Sequence, residues 1–156
     1  NCLSGYYKPT EGKVLLNELI PDKMRKDIAI IRDEIDLFDY LNLEDNVKFF
    51  MNFYQRKYYY REVDDLLDKY NILEHKKKYV FEASKGMLKK TQIIISLLLI
   101  PKLLLADEPL NSLDEKSQKI FWEDINSLKQ NYGTITVLSL HNVEMLKDNC
   151  NQIIYL

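Results

Sequence analysis

Four apolar residues, Leu103-Leu104-Leu105-Ala106, run straight into two carboxylates, Asp107 and Glu108, and then Pro109. An apolar run without polar alternation suits a strand covered on both faces, at the centre of a parallel sheet. Ligands of such sheets bind at the carboxyl ends of the strands. A carboxylate there can hold Mg²⁺, directly or through water, because Mg²⁺ takes hard oxygen ligands. The next residue points the other way and can address a water beside a phosphate. The plainer reading is a strand that ends in solvated acids.

Two further groups bear on the choice. Ser84-Lys85-Gly86-Met87 opens a long apolar stretch. Ser84 suits a helix N-cap, since its hydroxyl accepts a backbone N–H. The same helix end presents N–H groups and the positive dipole to an anion such as phosphate. Gly86 permits close backbone approach. His141 follows the β-branched stretch Thr134 to Leu140; alone, it is equally a core or surface histidine.

The elements that must position these groups follow from periodicity. Val14 to Leu16 and Ile28 to Ile31 read as short strands. Asn42 caps a helix whose apolar positions are Leu43, Val47, Phe50 and Tyr54. Val63, Leu66, Leu67 and Tyr70 mark another, and His75 to Lys78 is a basic loop. Ser84 begins a helix running to about Ile100, and Leu103 to Ala106 is a strand. Phe121, Ile125, Leu128 and Tyr132 form the apolar face of a helix stopped at Gly133. Thr134 to Leu140 is a strand, Val143 to Asp148 a short helix, and Ile153 to Leu156 the start of a last strand. Strand and helix alternate in the second half, and helices fill much of the first. The fold class is therefore α/β, a parallel sheet core with an inserted helical block.

Composition excludes several classes. The net charge of −2 gives no field for nucleic acid. Arg56, Lys57 and Arg61 lie among tyrosines, but Glu62, Asp64 and Asp65 follow at once, which marks an amphipathic helix. The longest apolar run, Ile93 to Ile100, falls short of the about 20 residues of a membrane span. Cys2 and Cys150 form no zinc spacing and no disulfide framework, so a reducing compartment is expected.

Taken in order, the motifs resemble those of ATP-binding cassette (ABC) ATPases. Leu103 to Glu108 resembles the Walker B motif, and Pro109 to Asp114 the D-loop. Ala83 to Met87 resembles the signature motif, in the Ser-Lys-Gly-Met form found in export-type members. Leu138 to Asn142 is similar to the switch-histidine strand end. Leu3-Ser4-Gly5 with Pro9 to Gly12 resembles the stretch after the phosphate-loop helix, and Ile28 to Asn46 the Q-loop region. The resemblance covers the whole chain and implies a P-loop NTPase-like core, with residues 1–41 and 101–156 as sheet core and about 42–100 as helical subdomain.

The resemblance also implies roles. Glu108 would be the general base or water-positioning residue, and His141 would touch the γ-phosphate. Asp107 would support Mg²⁺, with Asp33 a second candidate in place of the Q-loop Gln. Ser84, Lys85, Gly86 and Met87 would face ATP held by an opposite subunit, with Ser112 and Asp114 of the D-loop bridging the dimer. Asp114 also stands where a helix N-cap is wanted. ATP and Mg²⁺ are the implied cofactors. A transmembrane permease subunit and a second nucleotide-binding domain are the implied partners, without nucleic acid. The implied place is cytoplasmic, peripheral on the inner face of the plasma membrane.

The sequence departs from the pattern in places. No Gly-x-x-x-x-Gly-Lys-Ser/Thr loop occurs; Gly12-Lys13 is followed by Val14, and Tyr7 stands where the first Gly belongs. The match starts just after that loop, so the chain reads as truncated, inactive alone and left with exposed apolar surface beside the Leu103–Ala106 strand. A non-catalytic module that docks on a partner is the alternative. Ala83 replaces the signature Leu, and Lys90 the usual Arg beyond it.

Overall fold

A computed structural model describes residues 2–16, 18–141 and 149–154. Three strands, β1 (Ile28–Ile31), β2 (Leu103–Asp107) and β3 (Ile135–Ser139), form a parallel sheet in the order β1-β2-β3. Ile28 pairs with Leu103, and Leu103 with Ile135, so all three strands start level. Leu103, Leu104 and Ala106 of β2 are buried and Leu105 half-buried, in keeping with the lack of alternation.

Between β1 and β2 the chain makes three helices, α1 (Leu43–Phe53), α2 (Tyr60–Lys69) and α3 (Lys85–Leu98), and α4 (Glu115–Tyr132) joins β2 to β3. Each start has a local cause. Asn42 Oδ1 accepts the Asp45 N–H at 2.8 Å, Ser84 Oγ that of Met87 at 3.3 Å, and Asp114 Oδ1 that of Ser117 at 2.9 Å. α4 ends where Gly133 takes φ +69°, a left-handed turn that costs glycine nothing. α3 is central: it packs on α1, α2, α4 and β1. Its Ile93 and Ile94 are fully buried with Val47, Leu67, Leu104 and Phe121 in one apolar core.

Two polar rivets hold the helices. Asn46 is fully buried; its Oδ1 accepts the Phe38 N–H at 2.8 Å and its amide donates to the Asn42 carbonyl at 3.1 Å. The turn after β1 is thereby fixed to α1. Tyr70, just past α2, donates its hydroxyl to Asp124 of α4 at 3.0 Å; burial and that carboxylate push the phenol well above its usual range.

The structure corrects three sequence expectations. Val14 to Leu16 is no strand: Leu16 makes an isolated antiparallel bridge with Leu19, and among the described residues no second strand lies alongside. The predicted opening beside Leu103–Ala106 is absent, because β1 and β3 flank β2 on either side. Among the described residues the outer edges of the sheet belong to β1 and β3, and β3 exposes Ile135 and Val137. His75 is not loop but closes a short 3-10 turn, Leu73–His75. The predicted helix over Val143–Asp148 lies outside the described residues. So do Tyr155 and Leu156, while Ile153 and Ile154 run irregularly.

Candidate functional site

The carboxyl ends of β2 and β3 bring four polar groups together. Asp107 pairs in register with Ser139, and the Ser139 hydroxyl donates to Asp107 Oδ1 at 2.5 Å. The Ser139 hydroxyl oxygen in turn accepts the Glu108 N–H at 3.2 Å. Glu108 itself takes φ +45°, a left-handed conformation that non-glycine residues rarely hold. That twist ends the strand and turns the Glu108 carboxylate to within 3.3 Å of His141 Nε2. The carboxylate is largely covered, at 13% exposure, whereas the imidazole is 95% exposed. A shielded carboxylate beside an exposed imidazole can hold a water and pass its proton outward.

Asp33 follows β1 and joins the same end of the sheet through Asn111, whose amide donates to Asp33 Oδ1 at 3.2 Å. Both acids proposed for metal, Asp107 and Asp33, are exposed. Among the described residues no group of three or more His, Cys, Asp or Glu is placed to cage a metal. Mg²⁺ commonly takes one or two carboxylates and completes its octahedron with water and substrate phosphate. The donor set here fits that mode and not a stand-alone site.

The other candidates gather elsewhere. Ser84, Gly86, Met87, Ser112 and Asp114 line one open cavity of about 360 Å³, together with His75 and Lys90; Lys85 is outside its lining. Ser84 and Lys85 are exposed at the start of α3. Gly86 earns its place inside the chain: a Cβ there would stand 2.8 Å from the Ser112 carbonyl oxygen. Ser112 holds φ +65°, so the turn before α4 presses that carbonyl against α3. Asp114 caps α4, and its Oδ2 accepts the Lys90 ammonium at 2.7 Å. Lys90 and the Ser117 N–H hold the Asp114 carboxyl far below the usual carboxylate range. Asp114 therefore performs the cap role, with its contacts made inside the chain.

Sequence reasoning missed Ser139, Lys90 as a partner of Asp114, and Lys89. Ser139 had a signal, since strand alternation places it beside the end of β2. Lys89 had none: it follows a helix start like any surface lysine, yet it is 2% exposed.

A family model described as "ABC transporter" matches residues 1–111. A methionine import ATP-binding protein of Clostridium tetani is 28% identical over 162 residues, covering 97% of this chain and 51% of that protein. A spermidine/putrescine import ATP-binding protein of Mycoplasma capricolum is 31% identical over 147 residues, covering 91% and 42%. The chain thus spans about half the length of these curated relatives. Among solved structures, an ATP-binding subunit of an ABC transporter superposes with a TM-score of 0.84 at 25% identity, covering 96% of this chain and 64% of that one. Both named relatives are import proteins and lend nothing to an export-type assignment. No helix among the described residues is long and apolar enough to cross a membrane.

Proposed function

This chain belongs to the ABC transporter family, and on that premise we propose that it binds and hydrolyses ATP to power movement of a solute across a membrane. The observation that carries the reading is the meeting of Asp107, Glu108, Ser139 and His141 at the carboxyl ends of two parallel strands. Glu108 orients the attacking water and takes its proton, and His141 reaches the γ-phosphate. Ser139 fixes the Asp107 carboxylate and the Glu108 backbone at once, so neither must reorganise during the reaction. Asp107, with Asp33, would hold Mg²⁺ against the phosphates, and the ion would neutralise their charge.

Ser84, Lys85, Gly86 and Met87, at the surface end of α3, would meet ATP held by a second cassette, with Ser112 beside them. Residues 1–41 and 101–156 then form the sheet core and about 42–100 the helical subdomain. Phe38, Phe49 and Phe53 are 47%, 41% and 67% exposed, an apolar face suited to a transmembrane permease subunit. Such docking places the chain on the cytoplasmic face of the plasma membrane.

A second reading rests on one observation: the 156 residues contain no Gly-x-x-x-x-Gly-Lys-Ser/Thr loop. Without that grip the chain by itself would be inactive, and a non-catalytic docking module becomes the alternative. Mg-ATP binding and hydrolysis should be measured on the 156 residues and on the full-length protein. Hydrolysis by the full-length protein only supports the ATPase reading. Hydrolysis by the 156 residues alone refutes the reading of the missing grip, and hydrolysis by neither favours the docking module.

A further inference from the structure

Glu44 stands in the first turn of α1 and is 3% exposed. A carboxylate taken that far out of water is costly unless cations meet it. Among the described residues three lysines do. Lys76 lies 3.5 Å from Oε1, Lys48 lies 3.2 Å from Oε2, and Lys77 closes on the same Oε2. The Lys48 contact is local, one turn along α1. Lys77 stands 33 residues away in the chain, so its contact joins two segments. The backbone sews the same segments together. The Leu43 and Glu44 N–H groups, which begin α1 and lack partners within it, donate to the Lys78 and Lys76 carbonyls at 3.0 Å each. The Val80 N–H returns to the Leu41 carbonyl at 3.3 Å, and Asn42 and Tyr79 form an antiparallel bridge. Lys76 also donates to Asp64 of α2 at 2.7 Å, so one lysine spans both helices. This anchored turn leads directly to α3. Val80–Glu82 make a 3-10 turn, closed by the Tyr79 N–H on the Glu82 carboxylate at 3.1 Å, and Ser84 follows with its cap on Met87.

We infer that Glu44 is a positioning residue for the start of α3: its charge clamps the Lys76-Lys77 turn onto α1, and the clamped turn sets where Ser84 stands and how firmly its cap is closed. Only residues 79–83 lie between the anchored turn and Ser84, and Tyr79 and Val80 are themselves tied to the approach to α1, so a slack turn is felt at the α3 cap. The consequence for turnover rests on the proposed role of Ser84 toward ATP of a second cassette; the mechanical link stands on the fold alone. Glu44 touches no nucleotide and acts through the turn.

The test uses three variants of the full-length protein. Glu44→Gln keeps the shape of the side chain and removes its charge. Lys76→Met with Lys77→Met keeps the aliphatic stems and leaves Glu44 with Lys48 alone, and the third variant adds Glu44→Gln to that pair. Amide hydrogen exchange is read residue by residue, with melting beside it. In Glu44→Gln the Leu43, Val80 and Met87 amides should exchange about tenfold faster, while those of β2 and α4 stay within about twofold of the parent. Lys76→Met with Lys77→Met should lower Tm, and adding Glu44→Gln should recover at least about half of the loss, because the stranded buried charge is gone. In turnover, Glu44→Gln should lower kcat about fivefold. Faster exchange at Leu43 with Met87 at the parent rate overturns the inference, since Glu44 would then hold the turn without positioning α3. Acceleration spread evenly over β2 and α4, or a triple variant no more stable than the lysine pair, overturns it as well. Should the parent show no Glu108-dependent hydrolysis, the ATPase reading fails separately, and exchange and melting still decide the link.

Discussion

Replacing Gly86 by Ala sets two effects of opposite sign against each other. Gly86 lies in the first turn of α3, where alanine is the better helix former by up to about 1 kcal/mol. Against this stands the Cβ contact of 2.8 Å with the Ser112 carbonyl oxygen. An ordinary contact needs several tenths of an ångström more, and both partners are backbone. Neither can step aside as a flexible side chain would. Ser112 is already held at φ +65°, and Leu113 behind it is buried. Overpacking of this kind costs about 1–3 kcal/mol. The net is a loss of about 1 kcal/mol, which lowers Tm by about 2–4 °C for a chain of this size. The displacement should fall on the surface formed by Ser84, Met87 and Ser112, so ATP turnover should drop more than stability does. Melting and steady-state ATPase assays on the full-length protein read the two separately. Ser112→Gly in the same background removes the strain of the positive φ and should return part of both losses. A Gly86→Ala protein that melts higher than the parent, with unchanged kcat, would refute the reasoning, because propensity would then outweigh the contact.

Other predictions follow from single contacts. Ser139→Ala removes the hydroxyl that ties Asp107 to the Glu108 N–H; kcat should fall about tenfold or more with stability lowered by about 1 kcal/mol, as seen in paired turnover and urea-melting curves. Asp114→Ala deletes the α4 cap and strips Lys90 of its partner; a loss of about 1–2 kcal/mol is expected in urea melting, the upper part for the stranded lysine. The same carboxylate gives a pH dependence. Its folded pKa lies below the unfolded value, so its contribution is whole above about pH 4 and is lost as pH falls toward the folded pKa. Melting of Asp114→Asn should therefore fall less steeply below about pH 4 than that of the parent, and parallel curves would contradict the assignment.

Much of this arrangement could be read from residue order because its causes are local. β2 declared itself through four apolar residues without alternation, and α1, α3 and α4 through Asn42, Ser84 and Asp114 as caps. Gly133 marked the end of α4 because only a left-handed turn was needed there. Val14 to Leu16 misled because a strand requires a partner, and β propensity says nothing of whether one lies alongside. Glu108 and His141 were singled out in sequence, but their 3.3 Å approach depends on the pairing of β2 with β3. Lys89 and Lys90 look alike in the chain; only the docking of α3 separates them, sending one to the carbonyls after β1 and the other to Asp114. Gly86 was read as permitting close backbone approach, and in the structure the backbone that approaches it is that of Ser112.

The central claim is that Glu108, shielded beside Ser139 and His141, activates the water that cleaves ATP. Single-turnover hydrolysis by full-length Glu108→Gln, measured together with ATP binding, tests it most directly. The substitution keeps the shape of the side chain and removes its charge. Hydrolysis slowed by about a hundredfold or more, with ATP binding intact, is the predicted result. Hydrolysis at the parent rate with the glutamine in place would contradict the account, and the catalytic group would have to be sought elsewhere.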